Sequence, residues 1–316
     1  MAMTGTNLLA AYNYCAGHYN RGYEMAKLPE QDLQGYSAAH PLYDKSDLGR
    51  TSGQRTAEIF AGLRAELSPS PETTALSQTS GRMIARLMMK LAKPELFNFV
   101  PVRLGGFTRL IEQALPRDGS AALLVDLAAG FSPRGLRLAQ AFPFLDVVEV
   151  DLPDVVEEKQ KRLQRIPNLQ LPLNLSWRAA DLGKTPLAEV LEGRTANIVS
   201  AEGFLPYFSF SDITRIARQV QHSLKPGGTF FADIGYLTPE GQRQARGVMQ
   251  VFRRQTRTTP GTVNDEQTAR QLFMDANYKH ITIYKMPEIA EIFNLPTPAP
   301  DVLFFIAATK APDSAQ

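Results

Sequence analysis

From Ala122 onward, short apolar runs alternate with helical patterns, and that alternation admits few folds. Apolar runs fall at residues 122–127, 147–150, 175–180, 198–201 and 229–234. Between them, residues 135–141, 155–165, 187–191 and 212–224 carry the 3.6-residue apolar spacing of helices. Strands that are apolar throughout and separated by helices belong to a parallel sheet covered on both faces. Residues 280–285 and 302–309 form two last strands, joined by a loop with a short helix, a pair that could return antiparallel. The expected fold is therefore α/β: a doubly wound, mostly parallel, seven-stranded sheet.

The first 118 residues carry no strand series. Helical faces recur at 55–67, 82–91 and 107–115, the last ended by Pro116 and an Arg-Asp-Gly turn. We read residues 1–118 as a helical cap and 119–316 as the core. The tyrosines at 12, 14, 19, 23, 36 and 43 are candidates for a lid over a substrate pocket, or for ordinary packing of an irregular arm.

Composition excludes several classes. A single cysteine, Cys15, rules out a disulfide framework or a Cys-rich zinc module. The cap carries 13 basic and 11 acidic residues and the core 21 of each, so no basic domain points to nucleic acid. The apolar run at 302–308 is far shorter than the roughly 20 residues of a spanning helix. No Lys or Arg precedes Arg21, so no secretory signal head is expected, and a cytoplasmic chain without membrane partners is.

In such a sheet, ligands sit beyond the carboxyl ends of the strands. The first such turn, LVDLAAGFSPRGLRL (124–138), offers Gly130 for close backbone approach, but Ala128 and the distant Gly135 break the G-x-G-x-x-G spacing that a pyrophosphate needs. The second strand ends in VEVDLPDV (148–155), where Glu149 and Asp151 share a side and Asp154 is placed to cap the next helix. Asp151 suits a ribose diol, because one carboxylate accepts two hydroxyl hydrogen bonds. Asp181-Leu182 can meet an adenine through the acid and a backbone N–H, or simply close a loop. Glu202, after the buried run of SAEGFLPYF (200–208), requires a partner if it is buried. LKPGGTFFADIG (224–235) reads as a helix stop, a turn and a strand ending in Asp233.

This ordered set resembles class I S-adenosylmethionine-dependent methyltransferases. LAAGFSPRGLRL followed by VEVDLPDVVEEK, with Lys159 as the trailing lysine, and then AEGFLPYF, is similar to the leucine carboxyl methyltransferase and polyketide O-methyltransferase superfamily. The likeness spans roughly residues 100–235 and departs from the family at Ala128, where glycine is usual. It implies S-adenosylmethionine as cofactor. Within VRLGGFTRLIEQAL (102–115), Arg103 would pair with the cofactor's carboxylate. Gly130 would approach its methionine moiety, Asp151 would hold the ribose, Asp181 and Leu182 the adenine, and Glu202 would sit by the amino group or sulfonium.

The expected reaction is O-methyl transfer, by in-line displacement, to a carboxylate or hydroxyl of a small-molecule acceptor, free, carrier-bound or a peptide. A carboxylate needs no base, whereas a hydroxyl benefits from one. Tyr207, His18 and His40 are the candidates for that role, the two histidines if the amino-terminal arm folds over the site and otherwise as structural residues, while His222 fits a surface or packing position. Two other classes compete: a nicotinamide oxidoreductase, disfavoured by the missing glycines, and a non-catalytic cofactor-binding protein. No metal-ligand spacing is evident. Arginines 243, 246, 253, 254 and 257 form a basic stripe opposite Ala245, Met249 and Phe252, as on a solvated amphipathic helix or a surface that attracts an acidic substrate or carrier.

Overall fold

Strand β1 (Ala122–Leu127) is buried along its whole length, as its unbroken apolar run requires, and it lies inside the sheet with a parallel strand on each side. The structure is a computed structural model that describes residues 52–236, 239–256 and 261–312. The arm tyrosines, His18, His40 and Arg257 lie outside the described residues. After β1 come α5 (Arg134–Ala141), β2 (Leu145–Asp151), α6 (Pro153–Leu163), β3 (Leu175–Ala179), α7 (Leu187–Val190), β4 (Ala196–Ala201), α8 (Phe210–Ser223) and β5 (Leu224–Tyr236). Helix α9 (Pro239–Thr256), β6 (Thr262–Val263), α10 (Glu266–Met274), β7 (His280–Lys285), α11 (Met286–Ile292) and β8 (Leu303–Thr309) follow. Among the described residues, four α-helices precede the sheet: α1 (Ser52–Leu67), α2 (Pro71–Leu76), α3 (Thr79–Met89) and α4 (Phe99–Ala114).

The strand order is β3-β2-β1-β4-β5-β8-β7, with the two-residue β6 off this path beside β5. Strands β1 to β5 pair in parallel, and β8 runs antiparallel to both neighbours. The seven-stranded doubly wound sheet expected from sequence is thus present, with β6 as a short addition. Neighbouring residues on each strand serve opposite faces. Leu124, Val147, Ile198 and Phe231 pack with α4, α5 and α11 through Phe107, Leu136 and Ile289. Val125, Val148, Val199 and Phe230 pack with α8 and α10 through Ile216 and Phe273.

Three differences from the sequence expectation have a clear physical cause. Helix α4 begins at Phe99 rather than 107, running through the Gly105-Gly106 pair. A Cβ at Gly106 would lie 2.6 Å from Ile289 and 3.0 Å from Phe305, so this glycine admits close packing and does not stop the helix. Asp154 is not the cap of α6: Pro153 opens the helix, Leu152 holds the cap position and Asp154 falls in the first turn. The Lys-Pro-Gly-Gly segment is drawn into β5, because Gly227 and Gly228 exchange backbone hydrogen bonds with Lys310, 3.1 and 2.9 Å long.

Helices α1, α3 and α9 share a separate apolar cluster that includes Ile59, Leu63, Met88, Val248 and Phe252. Phe252 of α9 is buried, while Arg243, Arg246, Arg253 and Arg254 are exposed, as an amphipathic helix demands. Among the described residues no helix is long and apolar enough to cross a membrane.

Candidate active site

A cavity of ≈ 770 Å³, counting its open mouth, lies beyond the carboxyl ends of β1 to β4. Its floor is Ala128 to Gly130 after β1, Asp151 and Leu152 at β2, Ala180 and Leu182 after β3, and Glu202 to Phe204 after β4. Its roof is one face of α1, since Thr56, Phe60 and Arg64 recur at helical spacing. Arg103 of α4 and Tyr207 complete the wall, the latter on a 3₁₀ turn, Leu205–Tyr207. Six of the residues expected from sequence, Arg103, Gly130, Asp151, Leu182, Glu202 and Tyr207, therefore line one cavity.

Asp181 is the exception. It stands beside the cavity between Ala180 and Leu182, with its carboxylate accepting from the Gly183 N–H at 3.0 Å and facing Lys184 at 3.2 Å. His222 and His280 are exposed and far in sequence from the lining segments.

The backbone at the floor is bent by left-handed residues. Gly130 has φ 49° and Gly203 φ 70°, conformations that glycine adopts without steric cost. Ala128, where the resembled family has glycine, takes φ 50° nonetheless. The turn is thus kept at a cost of roughly 1–2 kcal/mol for a residue bearing Cβ. At Gly203 a second constraint acts: a Cβ there would collide with the Arg103 guanidinium.

Asp151 is tied to the turn it faces. Its two carboxylate oxygens accept from the Gly130 N–H at 2.6 Å and the Leu152 N–H at 2.7 Å. Burial pushes its carboxyl up to about 6, against those amides and the charge of Lys159. Each oxygen retains lone-pair capacity for a further donor.

At the other end, charges of both signs meet. Glu202 accepts from Arg64 at 3.0 Å and from Arg134, and lies 3.7 Å from Arg103. Burial would raise its carboxyl, but the guanidiniums of Arg64, Arg134 and Arg103 outweigh this and hold it at about 2. Arg103 reaches Asp233 at 2.5 Å, and Asp233 also accepts from the Gly203 N–H at 2.7 Å. Arg134 bonds both oxygens of Asp126, at 2.8 and 3.0 Å. Tyr207 hydrogen bonds with Thr56, and burial pushes its phenol well above the ordinary value, so it is protonated at neutral pH.

Sequence reasoning did not single out Arg64, Arg134, Thr56 or Phe60. For Arg134 a signal existed. It opens helix α5, where the positive end of the helix dipole repels a cation unless a buried acid is near. The three residues of α1 come to the site only through the packing of that helix over the strand ends, which no local pattern announces.

The cavity's chemistry fits a zwitterionic nucleoside ligand. One pole offers paired cations and a carboxylate, the other a desolvated carboxylate, and Leu152, Leu182 and Phe204 give apolar walls between. Among the described residues no group of three or more His, Cys, Asp or Glu is arranged to hold a metal.

The family model for leucine carboxyl methyltransferase matches residues 56–221, a little over half of the chain. A solved structure from Thermobifida fusca YX, described as a candidate methyltransferase, aligns with a TM-score of 0.53 at 16% identity, covering 81% of this chain and 94% of that one. A possible exported protein from Bordetella parapertussis aligns with a TM-score of 0.53 at 15% identity, over 85% of this chain and 100% of that one. At these identities both are likenesses of fold. No curated protein matches the chain.

Proposed function

The chain belongs to the leucine carboxyl methyltransferase family, and on that premise we propose that it transfers a methyl group to an oxygen, a carboxylate or hydroxyl, of a small-molecule acceptor. It is a class I methyltransferase and S-adenosylmethionine is its cofactor. The acceptor, free or carrier-bound, is met in the cytoplasm.

The observation that carries this reading is the polarity of the cavity, with cations and Glu202 at one end and Asp151 at the other. Arg103 is the residue for the amino-acid carboxylate and Glu202 for the ammonium. Asp151 takes the ribose hydroxyls with the oxygen lone pairs left by Gly130 and Leu152. Leu182 supplies a backbone N–H toward the adenine, with Asp181 at the rim beside it, and Gly130 lets the main chain approach closely.

When bound, the cofactor supplies an electrophilic methyl group on a sulfonium. The protein's own work is alignment and exclusion of water. Holding donor and acceptor in line can remove up to roughly 7–11 kcal/mol of barrier in the best oriented systems. Phe60 and Phe204 close the cavity with apolar surface, and Tyr207, protonated, acts as a hydrogen-bond donor and not as a base. A carboxylate acceptor is already ionised at neutral pH and fits a site arranged this way.

The test is methyl transfer from labelled S-adenosylmethionine to panels of carboxylic acids and phenols, with calorimetry of cofactor binding alongside. We expect binding heat, a base-labile methyl ester with at least one acid, and loss of cofactor affinity in Asp151→Ala. Absence of heat with S-adenosylmethionine and its demethylated product would overturn the reading, and transfer to phenols alone would replace the acid by a hydroxyl acceptor.

A further inference from the structure

Arg134 does not line the cavity, yet it is tied to two buried acids beside it. Its side chain is 1% exposed and its guanidinium lies over the Phe107 ring, 5.3 Å from the centroid. One nitrogen, Nη2, donates to both oxygens of Asp126, at 2.8 and 3.0 Å. Asp126 is fixed from the other side by the Ser200 hydroxyl, which donates to Oδ1 at 2.6 Å. Asp126 and Ser200 are direct neighbours in the β1–β4 register, so this anchor is as rigid as the centre of the sheet. The other nitrogen, Nη1, donates to Glu202 Oε2.

A purely structural ion pair would be complete with Asp126 alone. Arg134 instead divides its planar fork, one arm on the anchor and one on the strand-end carboxylate. Glu202 is divided in the same way. Oε2 is held from beneath by Arg134, and Oε1 faces Arg64 of the roof at 3.0 Å and Arg103 at 3.7 Å. We propose that Arg134 is a positioning residue for cofactor recognition: anchored on Asp126 and Ser200, it fixes the plane of the Glu202 carboxylate so that one oxygen is presented to the ammonium of the bound cofactor. This rests on the reading that Glu202 receives that ammonium. Lysine could not replace it, because an ammonium lacks the rigid fork that spans both acids.

Two ligands separate positioning from scaffolding. S-adenosylhomocysteine carries the amino-acid group, and 5′-methylthioadenosine lacks it but keeps the nucleoside. Binding of each is measured by calorimetry to the full chain, its Arg134→Lys variant, the charge-neutral Asp126→Asn/Arg134→Gln variant, and Ser200→Ala, which weakens only the anchor. A Glu202→Gln control reads the role of Glu202 itself. We expect S-adenosylhomocysteine affinity to fall roughly 10–100-fold in the Arg134 variants, as for a lost hydrogen bond to a charged group. Ser200→Ala should show a smaller loss in the same direction, and methylthioadenosine affinity should stay within about threefold throughout. Where Arg134→Lys does not fold, the neutral pair and Ser200→Ala carry the same comparison. Retained S-adenosylhomocysteine affinity, or equal loss of both ligands, overturns the proposal. If Glu202→Gln also fails to distinguish the two ligands, the reading of Glu202 falls with it; if that control does distinguish them, only the role of Arg134 falls.

Discussion

With the proposed ribose contact, Asp151 is where binding and folding make opposite demands on one carboxyl group. Burial raises it to about 6 from an ordinary 3.8, while Gly130 and Leu152 supply amide hydrogens suited to the ionised form. Between those two values the folded state binds more protons than the unfolded chain. This group's contribution to stability therefore declines as pH rises through that window. Ribose hydroxyls donate hydrogen bonds and prefer the anion, so on the proposed contact cofactor affinity runs the other way. We expect affinity for S-adenosylhomocysteine to climb between pH 5 and 7.5 with a midpoint near the Asp151 value of about 6. In Asp151→Asn the affinity should be lower and flat across that range. Calorimetric titrations at several pH values check this, and a surviving midpoint in the Asn variant would assign the titration to another group.

At the scale of elements, the β1–α5–β2 unit shows how a turn is held open for a ligand. Gly135 lies in the first turn of α5, and a Cβ there would sit 2.9 Å from the Glu149 Cδ. Glu149 cannot retreat easily, because the Trp177 Nε1–H donates to it at 2.7 Å and Lys159 pairs with it at 2.7 Å. Helix propensity alone favours Gly135→Ala by about 1 kcal/mol. The packing reverses that sign, and we expect a loss of about 1–3 kcal/mol, as for an overpacked core. Thermal and denaturant unfolding would measure it; a gain in stability would mean that the Glu149 node yields. The same unit explains what could be read from sequence. Strand ends and the acids that follow them are local features, so Asp151, Glu202 and the parallel doubly wound sheet were legible in the apolar runs, whereas the order of the strands was not. The start of α4 was misread because Gly105-Gly106 resembles a breaker, when its purpose is close approach to Ile289 and Phe305 across more than 180 residues. Arg64 and Phe60 were invisible for a related reason: only the docking of α1 over the sheet brings them to the cavity.

For the whole molecule, the decisive question is what keeps α1 docked, since it carries Thr56, Phe60 and Arg64 into the cavity. Part of the answer is apolar, through the cluster that α1 shares with α3 and α9. The other part is Arg162 of α6, nearly fully buried in the core's edge. Its guanidinium pairs with Glu58 of α1, donates to the Leu76 carbonyl at 2.6 Å and to Glu158 at 2.9 Å, and lies 4.0 Å from the Phe131 ring centroid. Ion pairs removed from water repay their desolvation only when intact, and stranding one partner typically costs about 3–5 kcal/mol. Arg162→Met leaves the Glu58 charge and a carbonyl without their donor. We expect that variant to lose stability in this range and to bind S-adenosylhomocysteine more weakly, although Arg162 does not line the cavity. Adding Glu58→Gln removes the stranded charge. The double variant should therefore recover at least about 1 kcal/mol, as coupled neighbours do in a mutant cycle, and recover cofactor affinity with it. Denaturant unfolding and calorimetry on the two single variants and the double provide the comparison. Strict additivity would show that α1 is docked by its apolar face alone. Recovery of stability without recovery of affinity would separate the docking of α1 from the shape of the site beneath it.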